Sequence, residues 1–351
     1  MNVDDILVTS THTAHLLTLI KHLQLEFPLK DLGELSYFLG IHVIHDSKGV
    51  HLSQSKYISD LLHRAHMVGA KPSSTPTAPG SKLSQHSVNQ LCQFMHSPTT
   101  AHWTTAKRVL RYLKGTIDHG LLFSPGSLHL HAFCDSDWAG NPDDHRSTTH
   151  FGIFLGSCLI FWSAKKQTVV ACSSTEAKYR AMVVTTADLY WIHMLLKNLY
   201  VPLRSPPTLW CDNAGALAIA SNPVFHTRTK HIEVDYHFIW EKVFNKDLFL
   251  QFTATGDQRA DTFTKGLSAP RFTVLRDKLL VTSCPISLRG AVKEINPPHD
   301  STESAGGTVA HLPYIYRPQL IKQPSQTLSL NKEIQVCKAF IYFSCKSCII
   351  H

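Results

Sequence analysis

The sequence predicts a mixed α/β fold, with helices packed over a sheet. Three observations lead there. Between residues 128 and 282, runs with the period of a strand alternate with runs of helical period. Two of the strand-like runs, Phe151 to Leu155 and Leu159 to Ser163, flank Gly156-Ser157 as a hairpin would. Ser174 to Tyr200 carries apolar residues on most faces of a helix, which predicts burial.

The elements follow in order. Ile6-Leu7-Val8 reads as a strand after an acidic pair, and Leu16, Leu17, Leu19, Ile20 and Leu23 mark an amphipathic helix. Leu35 to Ile44 is strand-like around Gly40, and Gln54 to Met67 forms a second helix. Pro72, Pro76, Pro79 and Gly80 end that helix in a linker. Val88 to Leu113 is a basic amphipathic helical zone with Lys107, Arg108 and Arg111, and Lys114 lies just beyond. After the turn at Pro125-Gly126, Leu128 to Cys134 alternates into Asp135 as a strand expected to be central. The hairpin and the long helix come next. Thr208 to Cys211 is a short strand ending at Asp212, followed by an Ala-rich helix to Ala220. Val234 to Phe244 is a helix, Leu248 to Thr253 a strand, and a last helix opens at Ala260. Beyond Thr282 the periodicity fades among prolines and glycines, which predicts an irregular tail.

Composition narrows the function classes. The chain has 351 residues with 43% hydrophobic and 17% charged, enough apolar material for a core and about two domains. No apolar stretch reaches bilayer length; the nearest, Val336 to Ile350, holds Lys338 and Lys346. The first residues lack the pattern of a signal peptide. A membrane or secreted setting is therefore disfavoured, and an intracellular one, cytoplasmic or nuclear, is expected. The net charge of +8 permits a polyanionic partner without requiring one. The 9 cysteines are mostly singletons inside apolar runs, such as Cys134, Cys158 and Cys211, as in a reduced interior. Cys345, Cys348 and His351 have zinc-like spacing, but a second pair is missing.

Four carboxylates sit at element ends: Asp135, Glu176, Asp212 and Asp261. Strand ends and helix starts meet on one edge of such a sheet, and carboxylates gathered there repel one another unless cations lie between them. Oxygen ligands of this kind suit Mg²⁺, and two such ions can drive phosphodiester cleavage. Each acid also has a plainer reading. Glu176 follows Ser173 at capping-box spacing, and Asp212 and Asp261 can cap the helices they precede. Asp135 resists that reading, because an acid in a central strand is costly without a partner. Asp137 shares its face by periodicity and stays an alternative.

The wording of these segments resembles the Ty1/copia class of retrotransposon Pol polyproteins. Asn2 to Val8 is similar to the tail of a reverse transcriptase YVDD motif. Lys30 to Val43 (KDLGELSYFLGIHV), Leu52 to Ala65 (LSQSKYISDLLHRA) and Arg108 to Leu121 (RVLRYLKGTIDHGL) resemble the palm end, thumb and connection. CDSDWAG (Cys134 to Gly140), SSTEAKYRAM (Ser173 to Met182), LWCDNAGA (Leu209 to Ala216), RTKHIEVDYHF (Arg228 to Phe238) and ADTFTKGL (Ala260 to Leu267) resemble the RNase H part.

The resemblance implies a domain plan: a truncated palm and thumb remnant at 1–78, a linker and partial connection at 79–127, an RNase H-like domain at 128–282, and the tail at 283–351. It implies a five-stranded mixed sheet in order 3-2-1-4-5 with flanking helices, and Asp135, Glu176, Asp212 and Asp261 as an acidic tetrad holding two Mg²⁺ ions, with Mn²⁺ as a substitute. The implied activity is hydrolysis of the RNA strand of RNA–DNA hybrids. Asp135 would bridge both ions, Glu176 and Asp212 would hold the ion near the leaving group, and Asp261 would hold the nucleophile's ion. The hybrid is the implied partner, and no membrane or small-molecule cofactor is expected. Lys165, Lys166, Lys230 and Lys265 are candidate phosphate contacts.

Several residues depart from the family wording. Asn2 replaces the tyrosine of the YVDD motif, and polymerase activity is not expected from Asp4 and Asp5 alone. Between Leu83 and Val88 a helical family segment is missing. Lys178 stands where a glutamate is usual, Cys172 and Trp240 where arginines are usual, His150 where glycine is usual, and Phe161 where serine is usual. His150 would be strained if that glycine has positive φ, and Trp240 is expected to expose apolar surface. These departures support a rival expectation, a catalytically inactive nucleic-acid-binding remnant of the same fold. The acids occur in the order D, E, D, D, which sets aside the integrase pattern of three.

Overall fold

Two five-stranded sheets organise the computed structural model, which describes residues 6–8, 13–27, 29–77, 99–141, 143–222 and 233–284. Asp4, Asp5, Lys230, His231, the segment from Leu83 to Val88 and the cysteine pair at 345 and 348 lie outside these residues.

The first sheet is antiparallel throughout. It contains β1 (Tyr37–Phe38), β2 (Ile41–Asp46), β3 (Gly49–Ser53), β4 (His119–Phe123) and, from the far end of the described chain, β10 (Val281–Ser283), in the order β1-β2-β3-β4-β10. Leu39 and Gly40, both with positive φ, make the two-residue turn between β1 and β2. Asp46 Oδ1 accepts from the amides of Lys48 and Gly49 and fixes the next turn. Helices α1 (Thr13–Glu26), α2 (Ser55–Arg64) and α3 (Thr100–Gly115) come from the same part of the chain, and α2 packs on α3. Thr99 and His102 close a capping box at the start of α3.

The second sheet holds β5 (Leu130–Ser136), β6 (Thr148–Leu155), β7 (Cys158–Lys166), β8 (Thr208–Cys211) and β9 (Phe249–Phe252) in the order β7-β6-β5-β8-β9. Counted within the sheet, that order is 3-2-1-4-5. β5 pairs antiparallel with β6 and parallel with β8, so β5 is central, and all seven of its residues are buried. Helices α4 (Ser174–Asn198), α5 (Ala214–Ser221) and α6 (Glu233–Phe244) cover one face, building the largest apolar cluster around Leu130, Phe151, Ile153, Tyr179, Met182 and Leu209. On the other face Phe133, Phe154, Leu159, Ala260 and Leu279 pack with Leu121 and Val281, so strands of the first sheet help to bury the second. The short helix α7 (Asp261–Thr264) and helix α8 (Ala269–Lys278) close this side, and Phe272 of α8 meets Tyr112 of α3 edge to face at 5.6 Å.

The structure corrects several local expectations. Ile6–Val8 is not a strand: no described strand pairs with it, and Ile6 is exposed. The region around Gly40 is a hairpin rather than one strand. The helix expected from Ala260 is two helices, because Gly266 intervenes and Pro270 suits the first turn of α8. The long helix α4 is not buried all round, since Trp191 and Met194 are exposed. His150 causes no strain; it lies within β6, fully buried and without positive φ. Trp240 packs against the main cluster and stacks on Phe244 at 4.9 Å instead of standing in water. The basic residues of α3 serve tethering: Arg108 donates to Thr75 Oγ1, Arg111 to Lys71 O and Lys114 to Val68 O.

Candidate active site

Parallel pairing sets the site. β5 and β8 run the same way with Phe133 beside Trp210, so Asp135 near the end of β5 and Asp212 just past β8 leave the sheet at the same edge. Helix α4 starts over that edge. Ser173 caps it by accepting from the Glu176 amide at 3.2 Å. Gln167, which follows β7, ties strand and helix together through bonds to Ala177 O, Thr149 Oγ1 and Ser136 Oγ. Gln258, fully buried, donates to Cys134 O at 2.9 Å and so pins the segment leading into Asp261 against β5.

Three of the four expected acids come together, and lysines join them. Lys178 Nζ lies 2.8 Å from Asp135 Oδ1 and 2.5 Å from Asp212 Oδ1. Lys265 Nζ lies 3.4 Å from Asp135 Oδ2 and 2.6 Å from Asp261 Oδ1, and Arg271 reaches Asp261 Oδ2 at 3.1 Å. Glu176 goes a different way: Oε1 accepts from Arg180 at 3.0 Å and Oε2 from the Cys172 amide at 2.9 Å. Residues two apart on a helix are about 200° apart around its axis, so the flank of α4 that turns Lys178 to the strand ends turns Glu176 elsewhere.

The plainer readings of the acids fail in part. Asn213 caps α5 instead of Asp212, and Asp261 is the first residue of α7 with no capping bond from Ala260. Asp137, just past β5, accepts from the Thr148 amide at the start of β6. Of the lysines expected to meet phosphate, Lys265 joins the acid site and Lys166 pairs with Asp144 at 2.7 Å.

Electrostatics explain why the acids tolerate burial. Asp135 is 1% exposed, and a lone carboxylate there would be very costly. Burial pushes its pKa up, but Lys178 and Lys265 outweigh burial and hold the carboxyl below its usual range. Lys178 is likewise opposed by burial and held protonated by Asp135 and Asp212, its pKa raised. Burial, with Asp135's charge added, pushes Asp261 up even though Lys265 and Arg271 pull it down. Three carboxylates, Asp135, Asp212 and Asp261, thus face three cationic side chains, Lys178, Lys265 and Arg271, and the cluster is formally neutral.

The expected pair of Mg²⁺ ions does not fit the residues as placed. Mg²⁺ demands an octahedron of oxygens at about 2.1 Å. Among the described residues no three His, Cys, Asp or Glu side chains are grouped to hold a metal ion. Ammonium groups stand between the carboxylates where cations are needed.

Comparison with known proteins gives the setting. A family model described as "Reverse transcriptase (RNA-dependent DNA polymerase)" matches residues 1–79. The Retrovirus-related Pol polyprotein from transposon RE2 of Arabidopsis thaliana is 42% identical over 322 residues, covering 83% of this chain. An uncharacterized mitochondrial protein of the same plant, AtMg00810, is 44% identical over 219 residues, 54% of this chain and 91% of its own length. The chain belongs to the Ty1/copia-type transposon Pol polyproteins. As a member of that family it spans only 22% of the length of the RE2 polyprotein. Among solved structures, the N-terminal RNase H domain of rv2228c from Mycobacterium tuberculosis aligns with 43% of the Pol chain and 98% of its own, at TM-score 0.30 and 8% identity. No described helix of this Pol chain is long and apolar enough to cross a membrane.

The sequence reading missed the cations of this site. Two of them were visible as spacing, since Glu176–Arg180 and Asp261–Lys265 are acid–base pairs four apart. Gln167, Gln258 and Arg271 carry no such local signal.

Proposed function

We propose that the second sheet and its helices form an RNase H-type domain that engages RNA–DNA hybrids without cutting them. Membership in the Pol family, the strand order 3-2-1-4-5 and the D, E, D, D order of the acids support the RNase H type. The net charge of +8 supports a polyanionic partner. One observation carries the absence of cleavage: the Lys178 ammonium bridges Asp135 and Asp212, leaving a neutral cluster where two divalent ions would have to sit.

The test is a labelled RNA–DNA hybrid with the full chain in Mg²⁺ and in EDTA across a salt series. The expected result is salt-sensitive binding that is the same with and without Mg²⁺, and intact hybrid in both. Mg²⁺-dependent fragments that vanish in Asp135→Asn, or no binding at all, would overturn the reading.

A second reading is hydrolysis of the RNA strand with Mg²⁺ through Asp135, Glu176, Asp212 and Asp261. One observation favours it on one side only. Lys265 is 43% exposed, so it can withdraw from Asp135 and Asp261.

A further inference from the structure

We infer that Lys178 is a built-in cation that keeps divalent metal out of the acid cluster, so that this one side chain decides between an ammonium site and a metal site. The inference rests on the RNase H-type reading above and assigns its metal dependence to a residue.

Three features single out Lys178. Its backbone belongs to α4, a helix of 25 residues packed on β5 and β6, so the ammonium is delivered from a rigid element. Its side chain is 16% exposed, against 43% for Lys265, which ends a helix of four residues. It joins the ends of two parallel strands, contacting Asp135 and Asp212 at 2.8 and 2.5 Å, so it spans the gap an ion would have to bridge. A dication approaching this cluster meets no net negative charge, because Lys178, Lys265 and Arg271 already balance Asp135, Asp212 and Asp261. It would also have to expel a buried ammonium that makes short contacts to two carboxylates. Replacing Lys178 by glutamate changes the cluster's formal charge from neutral to minus two, which matches one divalent ion, and adds an oxygen donor to Asp135 and Asp212.

The experiment compares the full chain with Lys178→Glu and Lys178→Gln, using Mn²⁺ alone as the probe. Mn²⁺ binding is followed by calorimetry, and thermal melting is recorded in EDTA and in Mn²⁺. The unsubstituted chain should melt at the same temperature in both buffers. Lys178→Glu should bind Mn²⁺ at least about tenfold more tightly, melt lower in EDTA and recover in Mn²⁺. Adding Asp135→Asn should remove that gain. Should Lys178→Glu fail to fold in EDTA, refolding on addition of Mn²⁺ supports the inference. Failure in both buffers, together with Lys178→Gln binding Mn²⁺ no better than the unsubstituted chain, overturns it. Equal Mn²⁺ binding by the unsubstituted chain and Lys178→Glu also overturns it. Hybrid binding by the unsubstituted chain is read separately; its loss would remove the proposed partner while leaving the Mn²⁺ result on Lys178 intact.

Discussion

Asp135 accepts Lys178 on one oxygen and Lys265 on the other, and the two bridges differ in everything but charge. The Lys178 bridge is buried, grows from a long helix and ties two strand ends. The Lys265 bridge is half in water, grows from the extended residue just past a helix of four residues and ties the central strand to the segment held by Gln258. The same ion pair is a structural fixture in one place and a removable contact in the other. Burial sets the difference, because water and salt screen an exposed pair while a buried charge left alone has no other solvation.

The largest effect should come from breaking the buried bridge. Lys178→Gln leaves Asp135 and Asp212 without that cation and should cost about 3 kcal/mol or more in metal-free buffer, read by denaturant titration. A loss as small as that of the exposed bridge would erase the contrast.

Acid titration separates the site from the far end of β5. His131 is buried and donates from Nε2 to Gly156 O, and burial lowers its pKa from 6.5 to about 4. The unfolded chain takes up this proton first, so the stabilisation is full above pH 6.5 and is lost as pH falls towards 4. The full loss is roughly 3 kcal/mol. His131→Phe should flatten that limb. Asp135, also lowered, contributes stability above its ordinary value of 3.8 that is lost at more acid pH. Lys178→Gln should flatten only this lower limb, whereas a change between pH 6.5 and 4 would mean that the two ends of β5 are coupled.

Gln258→Ala frees the Asp261 segment from Cys134 O and leaves that buried carbonyl without its bond, for about 1–3 kcal/mol. It should weaken the Lys265 bridge and spare the Lys178 bridge, which a double-mutant cycle with each lysine would read as coupling to Lys265 alone. The smallest effect is expected from Lys265→Gln, under about 1 kcal/mol and shrinking with added salt.

Parts of this were legible in the sequence for definite reasons. β8 was read to the residue because prolines and Asp212 bound a short apolar run, and α4 because Ser173 announces its start. β3, β4 and β10 were not, since they are short and partly exposed. The partners of β4 lie at 50–52 and 281–283, so local periodicity cannot reveal them. The convergence of Asp135 with Asp212 followed from strands ending in acids. Lys178 read as a mere departure from the family wording, because only the rotation of α4 over the strand ends shows that its ammonium, and not Glu176, points at Asp135.

The most direct measurement is a Mn²⁺ titration of the unsubstituted chain and of Asp135→Asn, followed by the paramagnetic resonance signal of the free ion. With lysines serving as the cations, the two titrations should coincide, with no ion whose binding depends on Asp135. One or two tightly held Mn²⁺ ions that disappear in Asp135→Asn would contradict the account and return the cluster to metal chemistry.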